Sequence, residues 1–226
     1  MLYSLRFQAN LIRKAGNAQT VDVEVTNCVQ ASEVRLNEIS SERACVLVEQ
    51  EDVALGDVLE LGCGGGINLG FYDMNRVKSL TGLDPSPGLL DQTRDQIEAT
   101  GRKIDIHAGI GEDMPFADAQ FDTILVTFTL CSVDNPAQVL AEMKRVLRPD
   151  GRILFLEHGA APSPGVARWQ RWIEPLWKRI GGNCHLTRPI TGAYEAAGFK
   201  IIQSVKGYMP KTPKPFGWIE WGEARI

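Results

Sequence analysis

The residues best suited to bind a ligand form a glycine-rich segment, residues 62–66, directly after the short apolar run at residues 57–61. Glycine adopts backbone angles that other residues avoid, and without a side chain it lets a bound molecule touch the main chain. The two segments together predict a strand that opens into a ligand-binding turn. Nucleotides, dinucleotides and sulfonium cofactors all use such turns, and ordinary tight turns share the pattern.

Three further features limit which class of ligand the segment could bind. Asp84 follows the glycine segment at about the interval at which nucleotide-binding sheets place an acid that receives two ribose hydroxyls. A dinucleotide loop would have a third glycine where Ile67 stands, so a mononucleoside cofactor is favoured over NAD. A phosphate-binding ATPase loop is also disfavoured, because no Lys-Ser or Lys-Thr pair follows the glycines.

Strands and helices alternate along the chain. The patterns predict strands at residues 57–61, 77–83, 104–108, 121–128 and 152–157, and helices at residues 33–50, 67–72, 87–100 and 136–147. Such alternation predicts a mainly parallel sheet with helices on both faces. Ligands of such sheets lie beyond the carboxyl ends of the strands.

Bulk properties limit the function classes. The 226 residues suit one domain, and a net charge of −4 disfavours a nucleic-acid partner. The N-terminus lacks the apolar core of a signal peptide and no apolar run is long enough to cross a bilayer, so a soluble cytoplasmic protein is expected. Five cysteines without Cys-x-x-Cys spacing, and three scattered histidines, predict reduced thiols and no metal site.

Five ordered motifs resemble those of class I S-adenosylmethionine-dependent methyltransferases: residues 60–66, 82–86, 111–116, 121–124 and 147–152. The similarity covers roughly residues 34–160 and is closest to the ubiquinone-biosynthesis-like branch. Within that branch the chain looks most like the methyltransferase-like thiol S-methyltransferases. That comparison rests on residues 130–133, 156–158 and 177–188.

The resemblance implies a Rossmann-like, doubly wound α/β fold whose seven-stranded sheet is mostly parallel, with an antiparallel C-terminal strand. The single domain would comprise an N-terminal extension (1–50), a cofactor-binding core (51–160), an acceptor-site insertion (161–198) and closing strands (199–226). Residues 209–215, rich in proline, are expected to form a connecting loop. Residues 1–32 receive no functional assignment.

Cofactor residues carry over from the resemblance position by position. Those expected to bind S-adenosylmethionine are Glu60, Gly62, Cys63, Gly64, Asp84, Pro85, Gly111, Glu112, Asp113 and Thr127. Residues 60–64 would surround the methionine moiety, Asp84 would take the ribose hydroxyls, residues 111–113 would border the adenine, and the backbone near Thr127 would meet the amino group. Many relatives have Asp where Ile110 stands, so one adenine contact departs from the family pattern.

Methyl transfer from a sulfonium is an in-line displacement, so positioning supplies much of the catalysis. The groups that could assist an acceptor are Asp134, His158 and Arg188, with His185 a weaker candidate. A thiol is the favoured acceptor because its pKa of roughly 8.5 leaves some thiolate near neutrality. Cys131 and Cys184 are expected to pack as buried thiols.

Other functions remain open. The acceptor could be a lipid, a quinone or another O-, N- or C-nucleophile, and the chain could be a cofactor-binding module without catalysis. Residues 164–182 carry tryptophans at helical spacing and several basic residues. They are expected to roof an apolar acceptor pocket, and peripheral membrane contact is the alternative.

Overall fold

A computed structural model describes residues 54–101, 103–209 and 212–226. Its centre is a seven-stranded sheet in the order β3-β2-β1-β4-β5-β7-β6. The strands are β1 (Gly56–Leu61), β2 (Val77–Asp84), β3 (Asp105–Ala108), β4 (Phe121–Thr127), β5 (Leu147–His158), β6 (Lys200–Tyr208) and β7 (Trp218–Arg225). The predicted extension over residues 1–50, including its helix at 33–50, lies outside the described residues.

The sheet is parallel except at β7. Strands β1 to β5 pair in parallel, whereas β7 runs antiparallel between β5 and β6. The topology reverses between β1 and β4, so the connections that follow these two strands leave towards opposite faces of the sheet, with a crevice between them. The predicted fold class is confirmed, including the antiparallel strand near the C-terminus.

The described helices are α1 (Pro87–Thr100), α2 (Pro136–Val146), α3 (Pro164–Ile180), α4 (Ile190–Ala196) and α5 (Lys214–Gly217). Proline in the first turn suits the start of α2, because the first backbone N–H groups of a helix need no partner within it. The Asn135 side chain accepts from the backbone N–H of Gln138 at 3.2 Å and caps that end. The apolar stripe predicted for α2 is buried through Val139, Leu140, Met143 and Val146.

Apolar clusters bury both faces of the sheet. The larger cluster joins β4 and β5 to α2 and α4, with Phe155 stacked on Tyr194 at 4.8 Å between ring centroids. The smaller cluster lies around Val58, Leu80 and Leu125. Burial on both faces explains why β4 reads as an almost unbroken apolar run.

Four local expectations differ from the structure. Residues 67–72 contain only a 3₁₀ turn at Leu69–Phe71, because the chain becomes extended at Tyr72. Strand β5 begins at Leu147, with a register irregularity before Arg152. The short helix α5 lies at the end of the predicted proline-rich loop, and α4 was not predicted.

No helix among the described residues has the length and apolar character to cross a membrane.

Candidate active site

The glycine segment turns sharply at the carboxyl end of β1. Gly62, Gly64 and Gly66 have φ angles of 74°, 56° and 75°, a region that favours glycine. The backbone N–H groups of Gly62 and Cys63 both donate to the carbonyl of Leu83, at 2.8 and 3.2 Å. These bonds hold the loop against the end of β2.

Gly62 and Gly64 serve different purposes. A Cβ atom on Gly62 would overlap the Thr129 hydroxyl, so glycine is required there for close approach to the loop after β4. A Cβ on Gly64 would meet only the Gly62 carbonyl, at 4.0 Å. The space beside Gly64 is therefore free of other protein atoms and can receive a ligand against the main chain.

Asp84 ends β2 beside this loop and is 6% exposed. Its Oδ2 accepts from the Gly64 N–H at 2.9 Å, and its Oδ1 accepts from the Ser86 N–H at 2.8 Å. An ionised carboxylate has about four acceptor positions, so ribose hydroxyls can still donate to it. Asp84 thus shapes the loop in addition to the ribose contact predicted for it.

Glu60 occupies a buried polar cluster under the loop. Its Oε1 accepts from Asn68 Nδ2 at 2.7 Å and its Oε2 accepts from Tyr72 Oη at 2.9 Å. Asn68 Nδ2 also reaches Thr127 Oγ1 at 3.2 Å. Burial raises the pKa of Glu60 to about 7, because desolvation outweighs these two hydrogen bonds, and the charge of Asp84 adds to the rise.

One acceptor in this cluster is unsatisfied. Asn68 Oδ1 is buried and has no hydrogen-bond partner among the described residues. Such an atom carries a free-energy cost until a donor reaches it. A ligand ammonium group beside Glu60 and Thr127 would supply that donor, so the cluster fits the amino-acid end of S-adenosylmethionine.

Cys63 and Pro85 contribute shape. Burial, followed by the charges of Glu60 and Asp84, raises the pKa of the Cys63 thiol to about 12, so it stays protonated. Its Sγ would lie 2.8 Å from a Cβ on Gly82, which shows how tightly it packs against β2. Pro85 is exposed at the turn that follows β2.

The residues predicted to border the adenine lie after β3. Gly111 is buried, and a Cβ there would approach Val139 and Leu61. Glu112 Oε1 accepts from the backbone N–H groups of Asp134 and Asn135, at 3.1 and 3.0 Å, so it fixes the chain entering α2. Asp113 is exposed, as is Ile110 with 49% of its surface accessible.

The loop after β4, residues 128–134, begins with Phe128 at φ 52°. The Phe128 N–H donates to the Leu156 carbonyl at 2.8 Å. The fully buried carboxylate of Glu157 then accepts from the backbone N–H groups of residues 129, 130 and 131, at 2.9, 2.8 and 3.0 Å. Burial raises the pKa of Glu157 despite these three bonds.

A second segment, residues 183–188, holds the same loop from the other side. The Arg188 guanidinium donates to the carbonyls of Leu130 and Val133, both at 2.6 Å. Asn183 Nδ2 reaches the Ser132 carbonyl at 2.8 Å and Asp134 Oδ1 at 3.0 Å. The segment predicted as an acceptor-site insertion is therefore joined to the 128–134 loop through three main-chain carbonyls and the Asp134 carboxylate.

The residues predicted to assist an acceptor lie around this loop, and they differ in exposure and in hydrogen-bond partners. Asp134 is exposed and bonded to Asn183, while Arg188 is half-buried and uses two N–H groups on the loop. His158 is 3% exposed, with its ring 4.7 Å from the Phe128 ring. His185 Nδ1 lies 3.6 Å from Glu174 Oε1, and burial followed by the nearby cations lowers its pKa.

Helix α3 presents tryptophan to solvent. Trp169 and Trp172 are 57% and 75% exposed, whereas Ile173 and Trp177 pack inward against Cys131 and Cys184. The inward face is thus close to the 128–134 loop, and the outward face carries unburied apolar surface. Whether α3 roofs an acceptor pocket stays a prediction.

These features define a Rossmann-like methyltransferase domain. Residues 59–155 match a family model described as "Methyltransferase domain". The YcgJ protein from Bacillus subtilis shares the fold, with a TM-score of 0.65 at 17% identity over 81% of this chain and 98% of that one. Residues 59–155 therefore form a domain of the class I S-adenosylmethionine-dependent methyltransferases, as the motifs predicted.

Two curated relatives are more similar in sequence. Thiol S-methyltransferase TMT1B from Rattus norvegicus is 38% identical over 170 residues, 73% of this chain and 66% of the relative. Thiol S-methyltransferase TMT1A from Homo sapiens is 37% identical over 151 residues, 65% of this chain and 61% of the relative. The chain therefore spans just under two thirds of the length of the relatives it matches.

Sequence reasoning did not identify Asn68, Tyr72 or Glu157 as site residues. Asn68 and Tyr72 are polar, four positions apart and directly after the glycines, which is the signal that could have indicated a shared partner. Glu157 lies within an apolar strand, and a carboxylate in a buried strand requires donors.

Proposed function

We propose that the chain transfers the methyl group of S-adenosylmethionine to a small-molecule thiol. The observation that supports the cofactor end most directly is the unsatisfied Asn68 Oδ1, next to an ionisable Glu60 and an open space beside Gly64. A cationic amino acid joined to a nucleoside matches this set of an acceptor, a carboxylate and an exposed main chain. Asp84 is bonded to the Gly64 N–H, and its predicted contact with the ribose agrees with this arrangement.

The thiol assignment is supported by the names of both relatives and by the chemistry of the residues around the 128–134 loop. A thiol needs less proton-transfer help than an amine or hydroxyl, since it is partly ionised near neutrality. The described residues around the 128–134 loop fit this requirement, because Asp134 and Arg188 are engaged in hydrogen bonds to protein. Positioning of donor, methyl carbon and acceptor in line then supplies the main rate enhancement.

The test is a radiolabelled methyl-transfer screen over thiols, phenols, quinols and amines. Turnover with thiols above all others is the expected result. Methylation confined to another class would reject the thiol. Tight binding of S-adenosylhomocysteine with no turnover across the panel would indicate a cofactor-binding module instead.

A pair of glycine variants separates site effects from backbone strain. Gly64 and Gly101 have φ angles of 56° and 65°, and a Cβ on either meets no atom closer than 4.0 Å. Both Gly64→Ala and Gly101→Ala should lose about 1–2 kcal/mol of stability to left-handed strain. Only Gly64→Ala should also lose cofactor affinity, measured by calorimetry, because its methyl group enters the ligand space. Equal cofactor affinity in the two variants would show that the cofactor does not bind beside Gly64.

A further inference from the structure

Three residues far apart in sequence meet at the 128–134 loop, to which one of them belongs. Cys131 follows β4, His158 ends β5, and Cys184 lies between α3 and α4. Their Sγ and ring nitrogen atoms all lie within 4.8 Å of one another, and Cys184 Sγ is 3.5 Å from His158 Nδ1. All three side chains are at most 4% exposed. Spacing along the sequence gave no indication of this cluster.

We propose that Cys131, His158 and Cys184 bind a thiophilic divalent cation of the Zn²⁺ class, with a fourth coordination position for a small exogenous ligand. Two thiolates and one imidazole are a ligand set that zinc uses with an open position. Tetrahedral bonds of about 2.3 Å to sulfur and about 2.0 Å to nitrogen place a sulfur and a nitrogen about 3.5 Å apart. The measured separation of Cys184 Sγ and His158 Nδ1 already matches this value.

Hydrogen bonds around the three residues hold the two cysteine segments in place. The Cys131 backbone N–H is bound by Glu157, and the Cys131 carbonyl accepts from the His185 N–H at 2.8 Å, which fixes the two cysteine segments against each other. The Ser132 hydroxyl lies 3.5 Å from Cys131 Sγ. Such outer contacts orient metal ligands and tune their affinity.

The charge balance also favours a cation. Leu186, Ile173, Trp177 and Phe216 make the environment of the two cysteines apolar. Two thiolates in such surroundings are costly unless a positive charge compensates them. A divalent ion neutralises both.

The fourth position gives the site a role. Among the described residues no further Cys, His, Asp or Glu joins the three. The role assigned to this position rests on the proposed function: the ligand class that suits it is the acceptor thiol. Coordination would release its proton to solvent and keep it as a thiolate. Its sulfur would then form a bond to the methyl carbon as the carbon–sulfonium bond breaks, leaving a neutral thioether cofactor.

Metal analysis of the full chain tests the site independently of turnover. Protein purified with added zinc should hold one ion per chain, and its cobalt form should show thiolate-to-cobalt charge transfer with tetrahedral d–d bands. Loss of an outer-shell partner lowers metal affinity about 10–100-fold. We expect a larger loss of metal affinity from each of three ligand variants: Cys131→Ser, Cys184→Ser and His158→Gln. Zinc should raise the thermal midpoint of the wild type but not of these variants.

Matched controls use the other thiols. Cys63→Ala and a Cys28→Ser/Cys45→Ser double variant should keep the ion, and loss of metal in the double variant would overturn the three-ligand assignment. Equal metal content in Cys184→Ser and the wild type, or a Cys131–Cys184 disulfide in protein that binds no zinc, would overturn the site itself. Adding a small thiol to the cobalt form should shift its d–d bands. No shift would reject thiol coordination, and a shift without methyl transfer would reject only the proposed function.

Discussion

The pH dependence of cofactor binding should be set by Glu60. In the free protein its pKa is raised to about 7, so the carboxyl is mostly protonated at pH 6 and mostly ionised at pH 8. The sulfonium and ammonium charges of S-adenosylmethionine would favour the ionised form. Binding below pH 7 must therefore expel a proton, and affinity should rise with pH through this range.

The magnitude follows from the population of the ionised form. With a pKa of about 7, roughly a tenth of the molecules are ionised at pH 6 and roughly nine tenths at pH 8. If the cofactor binds only the ionised form, the apparent dissociation constant falls about tenfold between these pH values. Glu60→Gln should bind more weakly but lose this dependence, apart from the titration of the cofactor's own amino group.

Titration calorimetry in buffers of different ionisation enthalpy measures both quantities. The wild type should release close to one proton per bound cofactor at pH 6, beyond that released in Glu60→Gln. Identical proton release and identical pH slopes in the two proteins would refute the placement of a cation beside Glu60. Because Gln retains the size of Glu, the comparison does not depend on a change in packing.

The same pKa has a consequence for stability. A raised carboxyl pKa means that, between pH 4.5 and about 7, the folded state holds a proton that the unfolded state has lost. Stability from this group is thus greatest at low pH and falls as pH rises to about 7. The difference in unfolding free energy between the wild type and Glu60→Gln should change by about 3 kcal/mol over that window, measured by urea titration.

Three further outcomes follow from single contacts. Asn68→Ala should weaken the binding of S-adenosylmethionine about tenfold or more in calorimetry, because it removes both the unsatisfied acceptor and a donor to the Glu60 carboxylate. Unchanged affinity would contradict this. Gly62→Ala should be far less stable to urea than Gly64→Ala, because only the former overlaps Thr129. Arg188→Ala should lower the unfolding free energy by about 1–3 kcal/mol through two orphaned carbonyls, and Arg188→Lys should recover part of it.

The positions of the first strands along the chain were predictable because they depend on local patterns, whereas the cofactor contacts stay a prediction. The apolar runs at β1 and β4 and the turn at Asp84 are each readable within about ten residues, and the chain uses them at the predicted positions. The contact between Glu60 and Asn68 was not readable, because the predicted helix at residues 67–72 would have directed these side chains differently. In the structure the chain leaves the 3₁₀ turn at Tyr72 and brings its hydroxyl back to Glu60.

The acceptor side was less predictable for a different physical reason. His158 and Arg188 were singled out as groups that could act on an acceptor, whereas the structure shows Arg188 bound to loop carbonyls and His158 beside a thiol. Both residues depend on contacts between the end of β5 and the segment after α3, which are separated by a whole helix. Periodicity within one element carries no information on such pairs.

The loop after β4 connects the two halves of the site. Phe128 adopts a left-handed backbone conformation that costs roughly 1–2 kcal/mol, and a protein retains such strain where its surroundings impose it. Here Glu157 binds three successive N–H groups after Phe128, and Arg188 binds two carbonyls of the same loop. Thr127, directly before this loop, contacts the Asn68 cluster, and Cys131 within the loop lies beside His158 and Cys184. A methyl donor bound beside Thr127 and an acceptor bound beside Cys131 would therefore be positioned by one segment of the chain, and in-line displacement depends on such positioning.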